Sequence, residues 1–181
     1  TQNLMPDVSI GKVNDGENIG MFMIPTPGYP NGDESVFGVL SELSLSHSTG
    51  FYDESSIFVG IYSEDTDVDI YYTFDGSEPS TDSYLYSGTP VYVQDNTVIR
   101  ATAFKDGWLQ SPVKTATYIL DNVSYNFPTM FLSTAPDNFF DYYTGIYVMG
   151  PNASPDYPHF GANFWEDWEK PIYIELLEND G

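Results

Sequence analysis

The sequence predicts an all-β fold, an antiparallel sandwich with additional β-rich, partly irregular flanking segments. Three observations predict it. Residues 37–120 alternate apolar and polar with period two, turn clusters interrupt them about every ten residues, and no helical stretch separates the runs. Aromatic content is 17%, with 15 Tyr and 12 Phe, the composition of a folded β-rich chain rather than of an acidic disordered tail.

Element by element, the predicted strands are VLSELSLS (39–46), SIFVGIYS (56–63), DIYYTF (69–74), PVYVQ (90–94), TVIRATAF (97–104) and KTATYIL (114–120). In TVIRATAF, Val98, Arg100, Thr102 and Phe104 share one face, and Thr97, Ile99, Ala101 and Ala103 the other. KDGW (105–108) carries an Asp-Gly pair, a hairpin signal. Six or seven short strands in this rhythm indicate a sandwich of immunoglobulin type.

The flanks differ in texture. Residues 1–36 are rich in Gly, Pro and Asn, with one apolar patch, IGMFMI (19–24), and read as a linker or irregular edge. Residues 121–181 hold a predicted strand in PTMFLST (128–134), and a short helical turn followed by a strand in PDNFFDYYTGIYVMG (136–150). A last strand lies in KPIYIELLENDG (170–181), where Tyr173 and Glu175 alternate with Ile172, Ile174 and Leu176, so that one face is available for burial. Its ENDG end is a turn sequence, as though a partner strand should follow. FGANFWEDWEK (160–170) places Phe164, Trp165 and Trp168 in one run, read as core or interface.

Charge narrows the function classes. The chain has 27 acidic residues against 5 Lys plus Arg, a net of −22. That field repels phosphate backbones and anionic lipid surfaces, which argues against nucleic-acid binding. Hard cations and neutral ligands such as sugars remain compatible, as does a plain solubilising role. There is no cysteine, so disulfides, thiolate metal sites and cysteine nucleophiles are excluded. No apolar run reaches the roughly 18 to 20 residues of a membrane-spanning helix, and membrane insertion is not expected. NVS (122–124) and NAS (152–154) fit the glycosylation tripeptide.

DIYYTFDGSEPS (69–80) puts Asp75 and Glu78 on a turn. Paired carboxylates serve glycoside hydrolysis when a sugar fits between them. The competing reading is a backbone-shaping corner, with Asp75 accepting from amides ahead, Gly76 supplying positive φ and Pro79 fixing the exit. The corner is favoured. SEDTDVD (63–69) offers Asp65, Asp67 and Asp69 at alternate positions beside Glu64. On a turning loop they would gather on calcium; on an extended backbone they form a solvated face. The EF-hand glycine and glutamate are absent. Asp137, Asn138 and Asp141 form a second oxygen cluster, with helix capping by Asp137 the favoured role. His47 and His159 lack the spacing of a zinc site, and Ser46, His47 and Ser48 have nothing to fix a catalytic geometry. No phosphate-binding glycine loop is present. Trp108 with Tyr84 and Tyr86 forms a candidate sugar-stacking platform; local packing is the alternative.

Three local patterns resemble known families. FYDESSIFVGIYS (51–63), IYYTFDGSEPS (70–80), LYSGTPVYVQDNTVIRATAFKDG (85–107) and SPVKTATYIL (111–120) are similar to the chitobiase/β-hexosaminidase C-terminal-type domain, an immunoglobulin or fibronectin-like accessory module. FPTMFLSTAPDNFFDYYTGIYVMG (127–150) and WEKPIYIELLENDG (168–181) resemble the opening of a spore-coat-protein-H (CotH) kinase-like domain, whose nucleotide-binding and catalytic motifs lie further downstream. DVSIGKVNDG and PTPGYPN, within 1–36, resemble the closing strands of a lamin-tail-type domain. The resemblances imply a non-enzymatic piece of a large bacterial surface or secreted protein: the end of one module (1–36), one whole module (37–120) and the start of another (121–181). An extracellular or cell-surface location follows from that, with partners met through the C-terminal segment.

Overall fold

The computed structural model describes residues 8–178 except 17, 23, 25, 32–34 and 121–126. Its strands, in chain order, are β1 (Ser9–Lys12), β2 (Ile19–Phe22), β3 (Ser44–Leu45), β4 (Gly50–Phe51), β5 (Ile57–Val59), β6 (Ile61–Tyr62), β7 (Asp69–Thr73), β8 (Tyr84–Leu85), β9 (Val91–Val93), β10 (Thr97–Phe104), β11 (Lys114–Ile119), β12 (Thr129–Ser133) and β13 (Tyr173–Leu177). One short helix, α1 (Pro136–Phe140), follows β12.

One layer is a five-stranded sheet in the order β4-β11-β10-β7-β8. β10 pairs antiparallel with β11 and β7, and β4 pairs in parallel with β11 at Gly50 and Phe51. The facing layer is built along one stretch of chain: β5 pairs with β9 and, past Gly60, β6 pairs with β3. Between them lies one apolar cluster. Ile99, Ala101, Ala103, Ala116, Tyr118 and Ile70 come from the sheet, and Ile57, Val59, Ile61, Val91 and Val93 from the opposite layer. Ile99, Ala101 and Ala103 are completely buried, as the period-two reading of TVIRATAF requires.

The outer face of β10 is also covered. Thr102 is buried because the β10–β11 connection folds back, the Ser111 hydroxyl meeting that of Thr102 at 3.1 Å and accepting from the Ala103 amide at 2.9 Å. The Asp-Gly signal is answered by Gly107 at φ +75° inside this longer connection, not by a two-residue turn.

Two expectations are corrected. Residues 9–22 are not a bare linker: β1 and β2 form an antiparallel hairpin, Ser9 opposite Phe22, and Met21 and Phe22 are buried. GIYVMG (145–150) forms turns instead of a strand, because Gly145 and Ile146 are bonded back to Asp141 and Asn138.

Candidate functional site

The DGSEP corner shapes backbone and also holds a cation. Asp75 Oδ1 accepts from the Ser77 amide (3.0 Å) and hydroxyl (2.5 Å). The Ser77 hydroxyl bond holds the Asp75 carboxyl below the ordinary aspartate value. Gly76 stands at φ +82°, and a Cβ there would lie 2.8 Å from the Thr134 carbonyl. Glu78 pairs with Arg100 Nη2 at 2.6 Å. Arg100, the chain's one arginine, has only 13% of its side chain exposed. Its Nη1 donates to the Gly76 carbonyl (3.1 Å), its Nε to Thr115 Oγ1 (3.3 Å), and its guanidinium lies over the Tyr173 ring, 5.6 Å from the centroid. Both carboxylates of the corner are therefore engaged structurally.

Tyr173 belongs to the C-terminal hairpin, in which β12 and β13 pair antiparallel. One face of this hairpin lies on the outer face of the five-stranded sheet. Glu175 accepts hydrogen bonds from Thr117 Oγ1 at 2.6 Å and from Thr49 Oγ1. Phe131, opposite Glu175, meets the Phe51 ring at 5.9 Å. The other face carries Met130 opposite Leu176 and Leu132 opposite Ile174, exposed to 58%, 58%, 59% and 55%. The alternation was legible, but the aliphatic face is the outward one. The sheet it would otherwise contact is lined by Arg100 and threonine hydroxyls, which a carboxylate and a tyrosine satisfy and leucine does not.

Between the two strands of this hairpin the chain runs through a largely irregular segment organised by Asn163. Its buried amide donates to the Tyr142 (3.2 Å) and Gly145 (3.0 Å) carbonyls. Gly150, at φ +69°, leaves room for the Asn163 side chain. Around this centre Phe140, Tyr142, Tyr143, Tyr157, Phe164, Trp165 and Trp168 are exposed. Ala162 is the one buried hydrophobic residue among those described after position 127.

The other sequence candidates are placed as follows. Asp137 does not cap α1 with its side chain; Ala135 is the N-cap residue, and Asp137 occupies the first turn, where its charge suits the helix dipole. Asn138 donates to Thr134 Oγ1 (2.6 Å), and Asp141 accepts from the amides of Tyr143 and Thr144. Asp65 accepts from the Ser41 amide at 2.6 Å, Asp67 is left-handed at φ +56°, and Asp69 opens β7. The loop turns, yet no group of three or more His, Asp or Glu able to hold a metal ion occurs among the described residues. His47 Nδ1 meets Ser46 Oγ at 2.8 Å and His159 Nδ1 meets the Ser154 carbonyl at 2.9 Å. Asn152 is exposed, whereas Asn122 lies outside the described residues.

The aromatic trio is divided. Trp108 packs on the sandwich core beside Phe37 (6.3 Å), with Lys105 Nζ 5.8 Å from its ring centroid. Tyr84 instead joins Tyr72 (5.7 Å) and Phe74 (5.5 Å) at the β8 edge, and is 63% exposed. Tyr86 contacts Tyr72 and accepts from the Ile61 amide through its hydroxyl. Trp108, beyond the end of β10, makes no ring contact with Tyr84 or Tyr86 among the described residues, and Tyr84 stands on the edge strand β8. Tyr72 and Phe74, which complete the edge cluster, stand two residues apart within IYYTF (70–74), the spacing that puts both on one face of a strand.

No helix of the described residues is long and apolar enough to cross a membrane. No curated protein and no solved structure matches the chain. The family model described as Fn3 associated matches residues 59–118, from the last residue of β5 through most of β11. Over those residues the chain is similar to fibronectin-associated modules, in keeping with its immunoglobulin/fibronectin-like β-sandwich.

Proposed function

We propose that the chain is a non-catalytic, extracellular part of a bacterial surface or secreted multidomain protein, acting as a spacer and assembly element. In this reading the sandwich is of the chitobiase/β-hexosaminidase C-terminal type. It grips the hairpin through its polar face and presents the opposite face to a neighbouring domain or subunit. The carrying observation is the hairpin's orientation: Glu175 and Tyr173 face the sandwich while Met130, Leu132, Ile174 and Leu176 face outward. An apolar face of this kind in an acidic chain marks an interaction surface.

Residues 121–181 are then the opening of a CotH-like domain and 1–36 the end of a lamin-tail-type domain, neither carrying catalysis in this reading. Limited proteolysis tests the grip. Glu175→Ala should release the hairpin, so that cleavage after residue 120 accelerates at least tenfold while the sandwich stays intact; equal rates refute the arrangement. ATP-dependent phosphorylation by the isolated chain would overturn the non-catalytic assignment.

The exposure of Tyr84 beside Tyr72 and Phe74 favours carbohydrate binding as a second reading. Retention on a glycan array that is unchanged by Tyr84→Ala would remove this edge from consideration. Calcium at Asp65, Asp67 and Asp69 is the remaining cation reading, and an unchanged melting temperature in EDTA and in millimolar calcium eliminates it.

A further inference from the structure

We propose that the outward face of the β12–β13 hairpin docks a polypeptide surface that is apolar at its centre and basic at its rim. This rests on the assembly reading and names the partner's chemistry. The centre follows from the two cross-strand pairs, Met130 with Leu176 and Leu132 with Ile174, extended by exposed Ile172. Five large aliphatic side chains on one flat ladder bury well only against another apolar face.

The rim follows from charge. Glu166, Asp167, Glu169 and Glu178 are exposed and bracket β13 in sequence. Three of the chain's five Lys and Arg are engaged elsewhere. Arg100 is committed to Glu78, Lys114 to Glu42, and Lys105 to the Thr66 carbonyl and the Trp108 ring; Lys170 lies by the Trp168 ring. Only two ion pairs occur among the described residues, in a chain with 27 acidic groups. A second copy would bring a further −22 to the same face, and an anionic membrane would be repelled equally. A surface carrying Lys and Arg around an apolar centre is attracted on both counts.

The test uses the full chain and two amphipathic helical peptides of about 18 residues, with the same leucine stripe and either Lys or Glu on the polar face. Binding is followed by fluorescence anisotropy at physiological salt. Two double variants, Leu132→Glu with Leu176→Glu and Phe58→Glu with Tyr92→Glu, add equal charge on and off the face; all four positions are exposed. Circular dichroism confirms that both fold. The expected result is binding of the Lys peptide and not the Glu peptide, weakened at least about tenfold by the hairpin variant but not by the control.

Equal or tighter binding by both variants would reduce the effect to bulk charge and overturn the proposal. So would equal binding of the two peptides, or no binding of either. A dimer seen in light scattering and abolished by the hairpin variant would assign the face to a second copy. These outcomes leave the proteolysis of Glu175→Ala untouched, so loss of the partner assignment and loss of the grip are separate results.

Discussion

The sandwich and the C-terminal segment are both rich in aromatic residues, yet they use them in opposite ways. In the sandwich, thirteen buried residues close into one core, with Tyr118 fully enclosed and its hydroxyl donating to the His47 carbonyl at 3.1 Å. Burial holds that phenol above its ordinary pKa. Past residue 127, Ala162 is the one buried hydrophobic residue among those described, and order comes from polar bonds centred on Asn163 and from contacts with the sandwich. Hydrophobic burial defines the first region; directional hydrogen bonds define the second, and most of its rings are left facing outward.

Ile99→Ala removes a completely buried side chain and should destabilise the whole molecule by about 2–5 kcal/mol, read by urea denaturation. Asn163→Ala should cost about 1–3 kcal/mol, confined to the C-terminal segment: hydrogen exchange should rise there and stay unchanged in β10 and β11. If exchange rises equally in both regions, the two do not open separately.

Arg100→Met removes the cation that the Glu78 carboxylate and the Tyr173 ring share. It should loosen the junction by about 1–2 kcal/mol, discounted because Glu78 is largely solvent-exposed, and hydrogen exchange in β12 and β13 should respond before the core does. The smallest effect is acid sensitivity. Asp75 has a folded-state pKa lowered chiefly by its bond from the Ser77 hydroxyl. Its contribution is present above the ordinary value of 3.8 and is lost as pH falls below that value through the folded one. Asp75→Asn should flatten that part of the stability profile, lowering stability slightly at neutral pH and leaving it nearly unchanged below the folded-state value.

The strongly periodic strands were legible because their pattern and their burial coincide. β10 occupies 97–104 as predicted, with Ile99, Ala101 and Ala103 inward. β4 and β8, two residues each, are strands only because a neighbouring strand pairs with them, and two residues carry no period. β1 and β2 were hidden by their glycines. Gly20 faces the Ser35 side chain so closely that a Cβ would lie 2.5 Å from it, so local composition read as linker what close packing makes a hairpin. For β13, alternation gave two faces but not their orientation, which depends on the hydroxyls of Thr49 and Thr117 far away in sequence. The roles of Glu78 and Arg100 were likewise hidden, since the partners lie 22 positions apart and meet only across the sheet.

The parallel pairing of β4 with β11 has a mechanical consequence. These strands stand near the two ends of the sandwich, Gly50 beside Tyr118 and Phe51 beside Ile119. The Tyr52 amide bonded to Ile119 and the Thr117 amide bonded to Thr49 Oγ1 extend the seam in both directions. A pull on β4 toward its N-terminus and on β11 toward its C-terminus loads these two parallel strands in shear, so the bonds along the seam share the force and must fail together rather than open in turn. A seam closed in this manner resists tension along its strands better than one that opens bond by bond.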